Sequence, residues 1–188
     1  MYEIEIKNYI SKEIEVLNAL DAASIDTVMT AIMEAYHADA NIYIFGNGGS
    51  ASTASHFQND FNKGISEHLD KKFNFVCLND NIPTVLAIAN DSGYEFIFEH
   101  QLKGKLKQND LVIAISGSGN SENVIRAVEY AGQQGVKTIG ITGYDGGRLA
   151  KIVDISFNVP IDDMQITEDV HMILDHLMMS VLMKKLEK

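Results

Sequence analysis

The chain has 188 residues, 46% of them apolar, and a formal net charge of −11. That length suits one domain, 1–188, with a full core, and the apolar share is ordinary for a globular protein. The acidity argues against broad binding to a nucleic-acid backbone, no apolar run is long enough to span a membrane, and the mixed, acidic N-terminus is unlike a signal peptide, so a cytoplasmic protein is expected.

Residues 1–38 read as two helices. Ile4, Ile10, Ile14, Leu17 and Leu20 recur near helical spacing, as do Val28, Ile32 and Tyr36, with a break at Asp21–Ser24. This pair lies outside the pattern that follows and is expected to pack on a partner subunit. Over 39–188 the chain alternates. Strands are predicted at 41–45, 73–78, 110–115, 137–142 and 154–159, and helices at 50–66, 82–90, 121–134 and 165–187. The runs at 41–45 and 110–115 are apolar but for their first residues, and with 137–142 they read as strands covered on both faces. The alternation predicts an α/β fold, a three-layer αβα sandwich on a five-stranded parallel sheet with right-handed crossovers, in which ligands bind at the C-terminal strand ends. Cys77, in the run Phe75-Val76-Cys77-Leu78, reads as an inert core residue and permits no internal disulfide.

Two strands run directly into Gly/Ser turns that open helices. One is Gly46-Asn47-Gly48-Gly49-Ser50 and the other Ser116-Gly117-Ser118-Gly119-Asn120-Ser121. Each gathers free backbone N–H groups, small hydroxyls and the positive end of a helix dipole, which together hold a phosphate. Neither has the lysine of a P-loop or the spacing of a dinucleotide fingerprint, so the pair points to a phosphorylated small molecule. A third turn, Thr142-Gly143-Tyr144-Asp145-Gly146-Gly147, reads as structural. Asp91, after Asn90, is placed either to accept from sugar hydroxyls or to cap the next helix.

His56 and Asp60 stand i,i+4 on the helix after the first turn, and the last helix carries Glu168, His171, Asp175 and His176. Glu168 and His176 are two turns apart on roughly one side, and His171 and Asp175 form another i,i+4 pair. Two readings stay open on spacing alone: solvated helix charges, or a metal or acid–base site shared by two helices. The Met-rich stripe of the last helix reads as core or interface.

Read together, these motifs resemble the SIS (sugar isomerase) domain, and within it the phosphoheptose isomerases. The resemblance rests on Gly46–Ser50 with Ala54-Ser55-His56-Phe57, Ala89-Asn90-Asp91 with Gly93-Tyr94-Glu95, Ile115–Ser121, Thr142–Gly147, and Glu168-Asp169-Val170-His171 with His176. It covers nearly the whole chain. It implies a flavodoxin-like fold, a homotetramer with sites between subunits, and interconversion of sedoheptulose 7-phosphate with a glycero-manno-heptose 7-phosphate. It implies a phosphate site at Ser50, Ser116, Ser118 and Ser121, and substrate contacts from Asn47, Gly48, Gly49, Asn90, Asp91, Gly117 and Glu168. It further implies a metal site, usually zinc with another divalent metal as the alternative, at His56, Asp60, Glu168 and His176. Asp60 is then the base that forms a cis-enediol and His176 the opposing acid.

The chain departs from the family in four places. Asp60 stands for a Glu, Glu168 for a Gln, Gly117 for a Thr, and Gly64 for an Arg, which leaves Lys63 as the nearest cation. The alternatives to the heptose enzyme are a non-catalytic adaptor of the DnaA-associating type, which can lack the final histidine, and an isomerase of another sugar phosphate.

Overall fold

The computed structural model describes residues 1–186. Helices α1 (Glu3–Ala19) and α2 (Ala22–His37) precede the sheet. Then follow β1 (Ile42–Gly46), α3 (Gly49–Asn59), β2 (Phe75–Cys77), α4 (Ile82–Asp91), α5 (Glu99–Leu102) and β3 (Leu111–Ser116). The chain continues through α6 (Glu122–Gln133), β4 (Lys137–Gly143), α7 (Leu149–Ile152), β5 (Ile155–Val159) and α8 (Met164–Leu186). All five strands are parallel, in the order β2-β1-β3-β4-β5. The expected fold is therefore the one found. The end of the predicted last helix, at 187, lies outside the described residues.

The central strands β1 and β3 are almost wholly apolar because alternate side chains enter two separate cores. Ile42 and Ile44 of β1, with Leu111, Ile113 and Ile115 of β3, join α2, α3 and α8 on one face. Tyr43 and Phe45, with Val112 and Ala114, join α5, α6 and Leu149 on the other. Cys77 is buried in the first of these cores, where burial pushes its thiol up to about 12 and keeps it unreactive.

Helix starts follow from local chemistry. Asp21 caps α2 by accepting from the Ala23 and Ser24 N–H groups, and Asn81 caps α4 by accepting from Thr84 N–H. The predicted helix 50–66 departs from expectation. After Asn59 it widens into a π-helical turn over Asp60–Ile65 and closes with a 3-10 turn at Ser66–His68. Helix α1 buries none of its own residues. Among the described residues no single helix is long and apolar enough to cross a membrane.

The strand order places the topological switch between β1 and β3, since the chain moves outward from β1 to β2 and then returns to β3 on its other side. Both Gly/Ser turns leave the C-terminal ends of these two strands, which is where open parallel sheets bind ligands.

Candidate active site

The two turns face each other across an open cavity of about 260 Å³. It is lined by Asn47, Gly48, Gly49, Ser50, Ser116, Gly117, Ser118 and Ser121, together with Met164 and Glu168 from α8. Gly48, at φ 55 and ψ −124, sets the first turn, and neither Gly48 nor Ser121 caps the following helix with a side chain. The first turns of α3 and α6 are thus left facing the cavity without a side-chain cap. No lysine or arginine lines it, so any anion there is held by N–H groups, hydroxyls and helix ends.

The surroundings hold the turns in place. The Asn47 and Asn123 amides exchange two hydrogen bonds of 2.9 Å, and Tyr94 Oη donates to Asn47 Oδ1 at 2.8 Å. The turn at 142–147 is a structural support, as its sequence suggests. Gly143 N–H donates to Gly117 O and Leu149 N–H to Gly119 O, each at 2.9 Å. Asn90 and Asp91 do not join this cavity. They are exposed at the end of α4, with the Asn90 amide donating to Asp91 Oδ1.

Two of the four family departures have a packing counterpart here. A Cβ on Gly117 would lie 2.5 Å from Met164 Sδ, so the cradle carries a thioether where a Thr would stand. A Cβ on Gly64 would lie 2.5 Å from Met179 Cε, so an arginine there has no room unless Met179 moves. Lys63 does not substitute for it, because its ammonium pairs with Glu67 on the surface at 2.7 Å.

A second cluster lies further along α3 and α8. His56 Nε2 and His176 Nε2 are 3.0 Å apart, and Asp60 Oδ2 is 3.5 Å from the first and 4.0 Å from the second. Asn59 donates to the other Asp60 oxygen at 3.1 Å. One donor atom from each of His56, Asp60, Asp175 and His176 lies within 4.8 Å of every other. The two helices therefore meet, and the reading of these groups as solvated charges is corrected for Asp60, His171 and Asp175, all of which are buried. His171 turns inward and bonds Thr142 O at 3.0 Å, and burial pulls its pKa down to about 4. Asp175 is fully buried with neither oxygen hydrogen-bonded. Burial, and after it the charge of Asp60, push its carboxyl up to about 8.

Three members of the expected metal set, His56, Asp60 and His176, come together, and Glu168 lies a short way along α8. Glu168 packs its carboxylate against Gly49, where a Cβ would come within 2.2 Å of Oε2, and a candidate cluster among the described residues also includes Asp175. Asp175 carries no sequence motif, but it lies in the apolar stripe of α8, seven residues before Leu182. Sequence reasoning also missed Ser55 and Asp80, which line an adjoining open cavity beside His56. The position of Asp80, just beyond the C-terminal end of β2, was the available signal.

The donor set suits a divalent cation. Two imidazole nitrogens face each other, a carboxylate oxygen faces both, and a buried carboxyl has no other partner.

An anion cradle at the β1/β3 switch with a His/Asp cluster alongside defines the sugar-isomerase class of α/β domain, and the SIS domain model matches residues 7–143. The chain is 38% identical to a phosphoheptose isomerase of Helicobacter pylori (strain HPAG1) over 78% of its own length and 76% of the relative's. It is 33% identical to one from Aneurinibacillus thermoaerophilus over 92% and 89% of the two lengths. The structure of a Neisseria gonorrhoeae phosphoheptose isomerase superposes with a TM-score of 0.87 at 27% identity, covering 96% of this chain and 98% of that one. The chain belongs, within the SIS domain family, to the phosphoheptose isomerases.

Proposed function

We propose that this chain, acting as a single domain over 1–188, interconverts sedoheptulose 7-phosphate and D-glycero-D-manno-heptose 7-phosphate through an enediol. The observation that carries the reading is the meeting of an anion cradle and a His/Asp cluster on one pair of packed helices, in a chain that resembles phosphoheptose isomerases over most of its length.

The phosphate rests on the Ser50, Ser116, Ser118 and Ser121 hydroxyls and the helix N-termini. Asn47, Gly48, Gly49, Gly117 and Glu168 contact the sugar. Anchoring the remote phosphate holds the open-chain sugar in register for a proton transfer that depends on close geometry. Asp60 takes the proton from the carbon beside the carbonyl, and the electron pair of that C–H bond becomes the enediol double bond. His176 gives a proton to the carbonyl oxygen and then takes one from the neighbouring hydroxyl. Return of the proton from Asp60 to the former carbonyl carbon completes the exchange. A divalent cation, zinc in this proposal, would be held by His56, Asp60, Glu168 and His176 and would supply polarisation of the substrate's oxygens.

The assembly proposed is a cytoplasmic homotetramer with sites between subunits, and Asn90 and Asp91 reach the site of an adjacent copy. The exposed apolar side chains of α1 and of Ile82 and Leu86 on α4 support this reading.

The test is turnover of sedoheptulose 7-phosphate by purified protein, with and without added zinc, with the product identified by NMR. Asp60→Asn and His176→Ala should fold normally and lose about 10²–10⁴-fold in kcat, the usual weight of general acid–base catalysis. Full activity in either variant overturns its role.

A further inference from the structure

We infer that Tyr94 is a positioning residue: with Asn123 it locks the Asn47 side chain so that Asn47 offers a ligand in the cradle an N–H and not an oxygen. The inference deepens the proposed function, from which it takes Asn47 as a sugar contact.

The lock starts at a backbone amide. Val124 N–H, in the first turn of α6, donates to the side chain of the buried Asn123 at 2.9 Å. A backbone N–H can only donate, so the atom facing it is Asn123 Oδ1 and the Asn123 amide has one orientation. That orientation passes to Asn47. Asn123 Nδ2 donates to Asn47 Oδ1, and Asn123 Oδ1 accepts from Asn47 Nδ2, each at 2.9 Å. Tyr94 Oη donates to the same Asn47 oxygen at 2.8 Å. Asn47 Oδ1 thus has both of its lone pairs engaged, whereas one of the two hydrogens on Nδ2 is left over. Because Asn47 lines the cavity, that remaining N–H is what it presents to a ligand.

Tyr94 has no packing reason to carry a hydroxyl. The residue is 57% exposed, and a phenylalanine would cover the same surface. Its placement is nevertheless fixed. Two residues further on, the Phe96 ring lies under the Arg126 guanidinium, 4.4 Å from the ring centroid, and Arg126 Nε donates to the buried Glu99 at 3.0 Å. Ile97 and Phe98, between these two, are buried. Helix α6 therefore carries Asn123 and also anchors the segment that bears Tyr94. Both partners of Asn47 Oδ1 are held by one rigid element.

The consequence is a preference among ligand atoms. Whatever meets Asn47 has to accept a hydrogen bond, as a hydroxyl, carbonyl or phosphate oxygen does. An amino sugar with its ammonium at that point would set N–H against N–H and be rejected.

The experiment compares Tyr94→Phe with wild type in the full-length protein. The variant loses one oxygen atom and nothing from the core, so its melting temperature should stay within about 2 °C. Its KM for sedoheptulose 7-phosphate should rise about two- to tenfold, the range that one neutral hydrogen bond covers, with kcat little changed. In an Asn47→Ala background the same change should have less than about a 1.5-fold effect, because Tyr94 acts through Asn47. A wild-type KM in Tyr94→Phe, or an equal rise in both backgrounds, overturns the assignment. NMR of the ligand-free protein reads the lock apart from turnover. Tyr94→Phe should shift both hydrogens of the Asn47 side-chain amide, and unshifted resonances also overturn it. Shifted resonances in a protein that isomerises no heptose phosphate uphold the lock and sink the isomerase reading.

Discussion

His171 sits where α8 meets the end of β4, 1% exposed, with Nε2 bonded to Thr142 O and Nδ1 unpartnered. Nε2 faces a carbonyl oxygen, so it carries the hydrogen and the ring is neutral. Burial pulls its pKa from 6.5 to about 4, against a smaller opposing effect of the Thr142 bond. The unfolded chain takes up this proton as pH falls through 6.5, whereas the folded chain resists until about 4. The stability is therefore present above 6.5 and lost as pH falls toward 4, by roughly 3 kcal/mol for this residue. His171→Gln keeps a donor for Thr142 O and cannot be charged. Its urea midpoint should fall less than that of wild type between pH 6.5 and 4, and parallel curves would show that His171 is not held neutral. The inward placement of this residue was partly legible. His171 precedes Met178 by seven residues and Asp175 precedes Leu182 by seven, so both share the apolar stripe of α8. Reading them as a solvated pair gave polarity more weight than periodicity, and burial decided the opposite way.

The turns are the elements on which the cradle depends, and their two key glycines are constrained differently. Gly119 has φ +63, and a Cβ on it would lie 2.1 Å from Gly146 O in the supporting turn. Gly48 has φ +55, and a Cβ there would meet nothing within 4 Å. Gly48→Ala should therefore cost only the backbone strain of its positive φ, about 1–3 kcal/mol. Gly119→Ala adds a clash with backbone that has no free end to move, and should cost more. Urea denaturation of the two variants checks the order, and equal losses would mean that the 142–147 turn gives way. The turns were legible in sequence because a Gly/Ser run straight after an apolar strand has few other uses. The π-helical turn at Asp60–Ile65 was not, since no residue type announces it. It starts at Asp60 itself, so the acidic residue expected to be one methylene short stands where the helix widens beside His176.

At the scale of the whole molecule, strand order alone brings distant segments together. Turns about 70 residues apart share one cavity because β1 and β3 are neighbours and α3 and α6 start beside each other. Strand alternation in the sequence made the sheet legible, whereas the meeting of α3 with α8 needed three-dimensional packing to appear. One apolar face is left uncovered within a single chain. Helix α1 touches α8 through Lys12–Asp163 at 2.6 Å and the Tyr9–Asp169 bond, yet Ile4, Ile6, Ile10 and Ile14 face outward. Four isoleucines on one 17-residue helix form an apolar surface of the kind that marks an interface. The double variant Ile10→Glu, Ile14→Glu should leave the far-UV spectrum unchanged, because neither residue is in the core. Its mass by light scattering should fall below that of wild type. If the site is completed by Asn90 and Asp91 of another copy, turnover should fall with the mass, while affinity for zinc, which the proposal places on α3 and α8 of one chain, should not. A variant of unchanged mass would remove α1 from the interface and leave its isoleucines without an explanation in this fold.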